Sequence, residues 1–141
     1  MDNKIEQKTL RNLLFKGEKV TIKSPSSLIE RTEIILDKKV IDLNNSDLRL
    51  LINQKIGLPV ILPLVIDRLK ENLFIECDYY EGDLLLNTLS IEDSLWEKYK
   101  FQKEALVQLL NDDFDKIHNT FLDDEIKDEL IEKYNIFLLY Q

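Results

Sequence analysis

The chain has 141 residues, of which 44% are apolar, and it contains one cysteine, three glycines and three prolines. This length and composition allow one compact core, so we predict a single domain over 1–141. A lone cysteine excludes an internal disulfide framework and favours a reducing compartment, so we expect a cytoplasmic protein. The most apolar run, 58–66, is much shorter than the roughly 20 residues of a membrane-spanning helix, so no membrane protein is expected.

Charge is distributed unevenly along the chain. The formal net charge is −8, yet residues 1–23 hold six basic and three acidic groups, whereas residues 24–141 hold 13 basic and 24 acidic groups. An acidic surface repels nucleic acid and anionic membranes, and it accelerates the encounter with basic partners. Nucleic-acid binding is therefore disfavoured.

The residue composition predicts an all-α fold. Glycine and proline are few, and Leu, Ile, Glu, Lys and Asp dominate, which is typical of helical proteins rather than turn-rich sheet proteins. We expect a single compact domain of about six helices. Residues 4–15 predict a short helix, and the alternation of polar and apolar residues in 19–23 allows one minor N-terminal β-strand.

Capping residues mark the predicted helix boundaries. Ser24 and Pro25 suit the start of one helix, and Asn45 or Ser46 should cap the next, which runs from Asp47 to Lys55 and is stopped by Gly57.

The segment from Pro59 to Lys70 is apolar nearly all round, so it should form the central and most buried helix. Pro63 would kink this helix or mark its real start. A polar and aromatic connection follows at 76–83. The later helical segments are 84–89, 91–99, 101–121 and 123–140.

Side chains suited to catalysis are scarce. His118 is the only histidine and Cys77 the only cysteine, so the chain has neither a histidine pair nor a two-cysteine half-site for zinc. We interpret His118 as a solvated residue on a helix flank. Glu76 and Asp78 should raise the pKa of the Cys77 thiol, which disfavours a nucleophilic thiolate. The sequence predicts no catalytic residue, no cofactor and no metal site.

Acidic residues and aromatic residues share one window of the chain. Residues 71–97 hold eight acidic groups and no Lys or Arg, together with Tyr79, Tyr80 and Trp96. Aromatic side chains beside charge of one sign are typical of an interface, although Tyr80 and Trp96 could equally belong to the core. Other acidic clusters lie at 112–115 and 123–125, where Asp112, Asp123 and Asp124 are suited to capping helices.

Three ordered blocks of the sequence resemble the contact-dependent growth inhibition (CDI) immunity protein family. The blocks are residues 47–54 (DLRLLINQ), 56–64 (IGLPVILPL) and 76–85 (ECDYYEGDLL). Cys77 stands where the family pattern has glycine, and Glu81 stands where proline commonly precedes GDLL. The resemblance covers roughly residues 8–110.

This resemblance implies a cytoplasmic bacterial antidote. Such a protein binds the cognate C-terminal toxin domain of CdiA, often a nuclease, as a monomer in a 1:1 complex and blocks it by stoichiometric occlusion. The chain would then consist of a basic segment, 1–23, a family-like core, 24–110, and acidic C-terminal helices, 111–141. Two alternatives remain open: an acidic helical adaptor or structural subunit with a constitutive partner, and an enzyme that uses a carboxylate pair.

The blocks shared within the family should hold the common fold, and residues outside them should discriminate between toxins. In the blocks, Asp47 and Asp83 suit helix capping. The fold-motif residues are Asp47, Arg49, Gln54, Gly57, Pro63, Glu76, Asp78, Tyr80, Gly82 and Asp83. The candidate toxin-binding residues are Tyr79 as an aromatic anchor and the acidic residues Glu92, Asp93, Asp112, Asp113, Asp115, Asp123, Asp124 and Glu125.

Overall fold

The computed structural model describes residues 3–15, 26–118 and 122–139. All regular elements within these ranges are helices, which confirms the predicted all-α fold. The minor strand predicted at 19–23 and the helix start predicted at Ser24 and Pro25 lie outside the described residues.

Six of the nine described α-helices have seven or more residues, in agreement with the predicted number. The nine are α1 (Asn3–Glu6), α2 (Leu10–Phe15), α3 (Ser26–Leu36), α4 (Asn45–Gln54), α5 (Leu58–Glu71), α6 (Asp83–Leu89), α7 (Asp93–Trp96), α8 (Lys100–His118) and α9 (Asp124–Leu139). Short 3-10 helices occupy Val40–Asp42 and Glu97–Tyr99.

The N-terminal helix predicted over 4–15 is divided into α1 and α2. Between them, Thr9 forms an antiparallel bridge with Lys39, and the Val40 N–H donates to the Lys8 carbonyl oxygen at 2.9 Å. These residues hydrogen-bond to the chain around Lys39 instead of continuing one helix. The prediction of a single helix is therefore wrong because tertiary pairing outweighs local helix propensity.

Helix α4 begins one or two residues earlier than predicted. The Asp47 N–H donates to the Asn44 side chain at 2.8 Å, and the Asn44 N–H donates to the Asp47 carboxylate at 3.1 Å. This reciprocal pair is a capping box, which places the N-cap three residues before its acidic partner. Asn44 is therefore the N-cap, and neither Asn45 nor Ser46 has that role.

The end of α4 also differs from the prediction. The helix stops at Gln54 and Lys55 takes the left-handed conformation with φ 58°, whereas Gly57 starts the next helix. Gly57 has φ 68°, and a Cβ at this position would lie 2.8 Å from the Leu14 side chain. The left-handed conformation therefore favours glycine here, and a larger residue would also displace the Leu14 side chain of α2.

Helix α5 packs against both α4 and α8. The prediction that it is the most buried helix is wrong, because six of its 14 residues are buried, compared with six of the seven residues of α6. Each buried apolar side chain of α5 contributes roughly 1.5–3 kcal/mol through removal of apolar surface from water. Pro63 lies inside the helix, so the expectation that it marks the real start is wrong.

Helices α6, α8 and α9 complete the core. Helix α6 packs against α4 and α9, and α8 packs against α9. The Tyr134 hydroxyl of α9 donates to the Asn111 side chain of α8 at 3.0 Å. The Trp96 ring meets the Phe137 ring edge to face, with ring centroids 5.4 Å apart. The C-terminal helix is therefore part of the same core as the central block.

Replacement of the N-cap tests the observed start of α4. Asn44→Ala removes the acceptor for the Asp47 N–H, so the free energy of unfolding should fall by about 1 kcal/mol. Urea unfolding followed by circular dichroism measures the change. The control is Asn53→Ala, at an exposed position inside the same helix, which should leave stability unchanged or slightly higher. Equal effects of the two substitutions would contradict the capping assignment.

Candidate functional site

The acidic loop, residues 76–82, is organised around the carboxylate of Asp83. This side chain is fully buried and accepts three consecutive backbone N–H groups, from Cys77 at 2.9 Å, Asp78 at 2.9 Å and Tyr79 at 3.0 Å. Asp83 therefore does not cap its own helix with its side chain, as the sequence suggested, but holds the loop that precedes the helix.

Backbone contacts close the acidic loop at its base. The Gly82 N–H donates to the Phe74 carbonyl oxygen at 3.0 Å, and Glu76 forms an antiparallel bridge with Glu81. Gly82 has φ 91°, which a residue with a Cβ adopts only with strain. The loop is thus a closed turn that leads directly into α6.

Arg49 connects the acidic loop to α4. Its Nε lies 2.6 Å from the Asp78 carboxylate and 3.8 Å from the Asp83 carboxylate. Its guanidinium lies over the Tyr79 ring, 4.5 Å from the ring centroid, in cation–π geometry. The Ser46 hydroxyl donates to the second Asp78 oxygen at 2.5 Å. These contacts join two sequence blocks that are about 30 residues apart and leave the Tyr79 side chain 71% exposed.

The charges around Asp78 lower the pKa of its carboxyl. Burial alone would raise this pKa, but hydrogen bonds from Ser46 and Arg49 and the positive charge of Arg49 outweigh burial. Asp78 is therefore held as a carboxylate at neutral pH.

Cys77 has the unreactive thiol that its surroundings in the sequence predicted. Burial is the main cause and raises the pKa of the thiol to about 12, and the charges of Asp83 and Asp78 add to the rise. The predicted direction of the Cys77 pKa shift is correct, and Asp78 is one of its causes as expected, but Glu76 is not; burial and Asp83 act instead. Almost no thiolate exists at neutral pH.

Two of the predicted acidic residues flank the start of α7. The Glu92 carboxylate lies 2.5 Å from the Lys55 Nζ, which lowers the pKa of Glu92, and the Asp93 carboxylate lies 3.5 Å from the Lys103 Nζ. Both residues have cationic partners within the chain.

The three acidic residues near the end of α8 have different surroundings. Asp112 accepts from the Gln108 amide at 3.2 Å, Asp113 lies 3.3 Å from the Lys116 Nζ, and Asp115 is exposed. Asp112 lies inside α8, so its predicted role as a helix cap is wrong.

Asp123, Asp124 and Glu125 lie at the start of α9, and all three are exposed. The Asp123 carboxylate accepts from the Glu125 N–H at 3.0 Å, in agreement with its predicted capping role. Asp124 and Glu125 occupy the first turn, where the helix dipole favours negative charge.

The end of the acidic loop packs against α9 and against Leu122, which precedes it. A Cβ on Gly82 would lie 3.5 Å from the Leu130 side chain and 3.8 Å from the Leu122 side chain. The loop therefore contacts both α4, through Arg49, and α9.

Glu92 and Asp93, at the start of α7, lie near a different part of α9. Together with Lys133 and Phe137 they line a groove of about 320 Å³. Phe137 is 13 residues beyond Asp124, a separation of roughly 20 Å along a helix. Glu92 and Asp93 therefore lie apart from the carboxylates at the start of α9, and Asp112, Asp113 and Asp115 lie on a further element, α8.

The sequence left open whether Trp96 and Tyr80 are buried, and both belong wholly or partly to the core. Trp96 is 1% exposed and Tyr80 is half-buried. Burial raises the pKa of Tyr80, and the nearby Glu129 and Asp83 carboxylates raise it further. Trp96 also lines a second groove, of about 580 Å³, beside α8. Of the residues that line it, the sequence selected Asp93 as a candidate for toxin binding and placed Trp96 in the acidic window, but it did not indicate a groove.

The remaining fold-motif residues lie where helices begin, end or pack. Gln54 is the last residue of α4, Gly57 precedes α5, Pro63 is within α5, and Glu76 is at the base of the acidic loop. Within the described residues, no three His, Cys, Asp or Glu side chains are grouped so that they could hold a metal ion. No helix in the described ranges is long and apolar enough to cross a membrane. The side chain of His118 lies outside the described part.

Comparison with protein families identifies the chain. A family model described as CDI immunity proteins matches residues 16–106, well over half of the sequence. The chain belongs to this family, which confirms the resemblance carried by the three sequence blocks. Comparison with curated proteins and with solved structures found no match.

Removal of the Asp83 carboxylate tests its role in the acidic loop. Asp83→Ala leaves three loop N–H groups without their acceptor and removes a negative charge near Arg49, so the free energy of unfolding should fall by roughly 3 kcal/mol. Chemical denaturation measures the loss. Asp128→Ala, at an exposed position of α9, is the control and should change stability little. A loss no greater than that of the control would contradict the assignment.

The lowered pKa of Asp78 predicts a pH-dependent contribution to stability. The ionised carboxylate stabilises the fold above its pKa in the unfolded chain, about 4, and this contribution is lost as pH falls through the lower pKa of the folded state. Wild type should exceed Asp78→Asn in unfolding free energy at pH 7, and the difference should narrow at pH 3. Asp128→Asn controls for the change in net charge. A difference independent of pH would refute the assignment.

Proposed function

We propose that this chain binds the cognate C-terminal toxin domain of a CdiA protein in the bacterial cytoplasm and neutralises it. The observation that carries this proposal is the match of residues 16–106 to CDI immunity proteins. The acidic body of the chain supports it, since charge of one sign accelerates association with a partner of the opposite sign.

The proposed mechanism is stoichiometric occlusion by a monomer in a 1:1 complex, without catalysis by the immunity protein. The Cys77 pKa of about 12 supports a binding role over thiol chemistry. An interface of standard size would cover roughly 800 Å² on each partner. Slow dissociation, rather than turnover, would then keep the toxin inactive.

The toxin is proposed to be a nuclease. A nuclease must attract the phosphates of its substrate, so its substrate-binding face is expected to be basic. The carboxylates of Asp123, Asp124 and Glu125 are exposed and form no ion pair within the described residues, which makes them suited to such a face.

Tyr79 is proposed as the aromatic anchor of this surface. Its backbone N–H is held by Asp83 and its ring by Arg49, so little side-chain freedom remains to be lost on binding. Exposed aromatic residues of this kind often contribute a large part of the binding energy. The acidic loop and the start of α9 would together form the first contact surface.

Co-expression with the toxin domain encoded immediately upstream tests the proposed function. Restored growth and co-purification as a 1:1 complex are the expected results. Continued growth arrest without a complex would overturn the proposal and favour an acidic adaptor with another partner.

Neutralisation of the exposed carboxylates tests their role in steering the encounter. The triple variant Asp123→Asn, Asp124→Asn, Glu125→Gln should associate with the toxin severalfold more slowly than wild type at about 50 mM salt, and similarly at about 500 mM. Stopped-flow association rates measure the effect. The control variant Glu30→Gln, Asp42→Asn, Glu71→Gln removes the same charge from exposed positions elsewhere. Equal slowing by the two variants would mean that only net charge matters.

A further inference from the structure

Arg49 occupies an enclosed position between α4 and the acidic loop. Its side chain is 12% exposed, whereas Tyr79 beside it is 71% exposed. Of the two residues, only Tyr79 offers a large contact area to a partner. Any part that Arg49 takes in binding is therefore exerted through Tyr79.

Asp78 fixes the guanidinium of Arg49 relative to α4. One oxygen of the Asp78 carboxylate lies 2.6 Å from the Arg49 Nε, and the other accepts from the Ser46 hydroxyl at 2.5 Å. Ser46 and Arg49 are three residues apart in α4, so their side chains lie on the same face of the helix. Because both oxygens of the carboxylate are held, the guanidinium bound to it is also held.

The guanidinium in turn covers one face of the Tyr79 ring, 4.5 Å from the ring centroid. The Tyr79 backbone N–H donates separately to Asp83 at 3.0 Å, so the backbone and the ring have different partners. With one face covered, a partner reaches the ring from the opposite face and from its edges. A ring that is already confined loses less conformational entropy on binding than a freely rotating ring.

We propose that Arg49 is a positioning residue for toxin binding. The inference rests on the proposed function and assigns to Arg49 a role that it exerts through Tyr79, without contacting the toxin. Held by Asp78, the guanidinium keeps the open face of the Tyr79 ring in the orientation that the ring has in the complex. The property required is the planar guanidinium and not its charge alone, since a lysine ammonium neither stacks on a ring nor binds a carboxylate in the same geometry.

A double-mutant cycle tests the positioning role. The toxin domain encoded immediately upstream, in a catalytically inactive form, is titrated into wild type, Arg49→Lys, Tyr79→Ala and the variant with both substitutions. Arg49→Lys should weaken binding about fivefold when Tyr79 is present. In the Tyr79→Ala background the same substitution should weaken binding less than twofold, because no ring remains to be positioned. Isothermal calorimetry measures the four dissociation constants.

Arg68 provides a matched control for effects on the fold. Its guanidinium also joins two segments, since it donates to the Asn45 side chain at 2.7 Å and to the Leu43 carbonyl oxygen at 3.4 Å. Neither contact involves the acidic loop. Arg49→Lys and Arg68→Lys should both lower the free energy of unfolding in urea, but only Arg49→Lys should change toxin affinity. Affinities are compared at a temperature at which circular dichroism shows every variant to be folded.

The outcomes separate the positioning role from a purely structural role and from the proposed function. Weakening by Arg49→Lys that requires Tyr79 supports both the positioning role and the proposed function. Equal weakening with and without Tyr79, equal weakening by Arg68→Lys, or full affinity of Arg49→Lys overturns the positioning role. Tight binding that Tyr79→Ala does not affect also overturns it and leaves the proposed function intact. If wild type does not bind the toxin domain, the proposed function is wrong and the positioning role is wrong with it.

Discussion

The buried carboxylate of Asp83 determines how the middle of this protein is built. It accepts three loop N–H groups and lies 3.8 Å from Arg49, so one side chain connects α6, the acidic loop and α4. A buried charge is tolerated only where partners compensate for lost hydration, and here backbone dipoles and one guanidinium do so. Because the Asp83 carboxylate also accepts from the Tyr79 N–H, the loop is held in place while the Tyr79 side chain remains exposed.

Much of the fold was predictable because the apolar pattern and the capping residues are strong. The helix over 58–71 and the all-α class follow from composition and periodicity, which are local properties. The division of α1 from α2 and the role of Asp83 were not predictable, since both depend on backbone contacts between distant segments. The N-cap at Asn44 could have been inferred from Asp47 three positions later.

The candidate site was predictable in composition but not in arrangement. Sequence reasoning selected carboxylates and Tyr79, yet it had no means of showing that Glu92 has Lys55 as a partner. The pair of Asp113 and Lys116, three residues apart on α8, could have been inferred from helical spacing. It also left the environment of Trp96 open, because an aromatic residue in an acidic window fits either a surface or a core. Ion pairs between residues far apart in the sequence decide which carboxylates remain available to a partner, and these pairs cannot be inferred from one sequence.

The C-terminal helix illustrates how such a protein can change its specificity. The family match ends at residue 106, but Leu130, Tyr134 and Phe137 of α9 are buried in the common core. These three side chains constrain the inner face of α9 in this chain. Substitutions at its outward positions can therefore change the charge that α9 presents to a partner without disturbing the core.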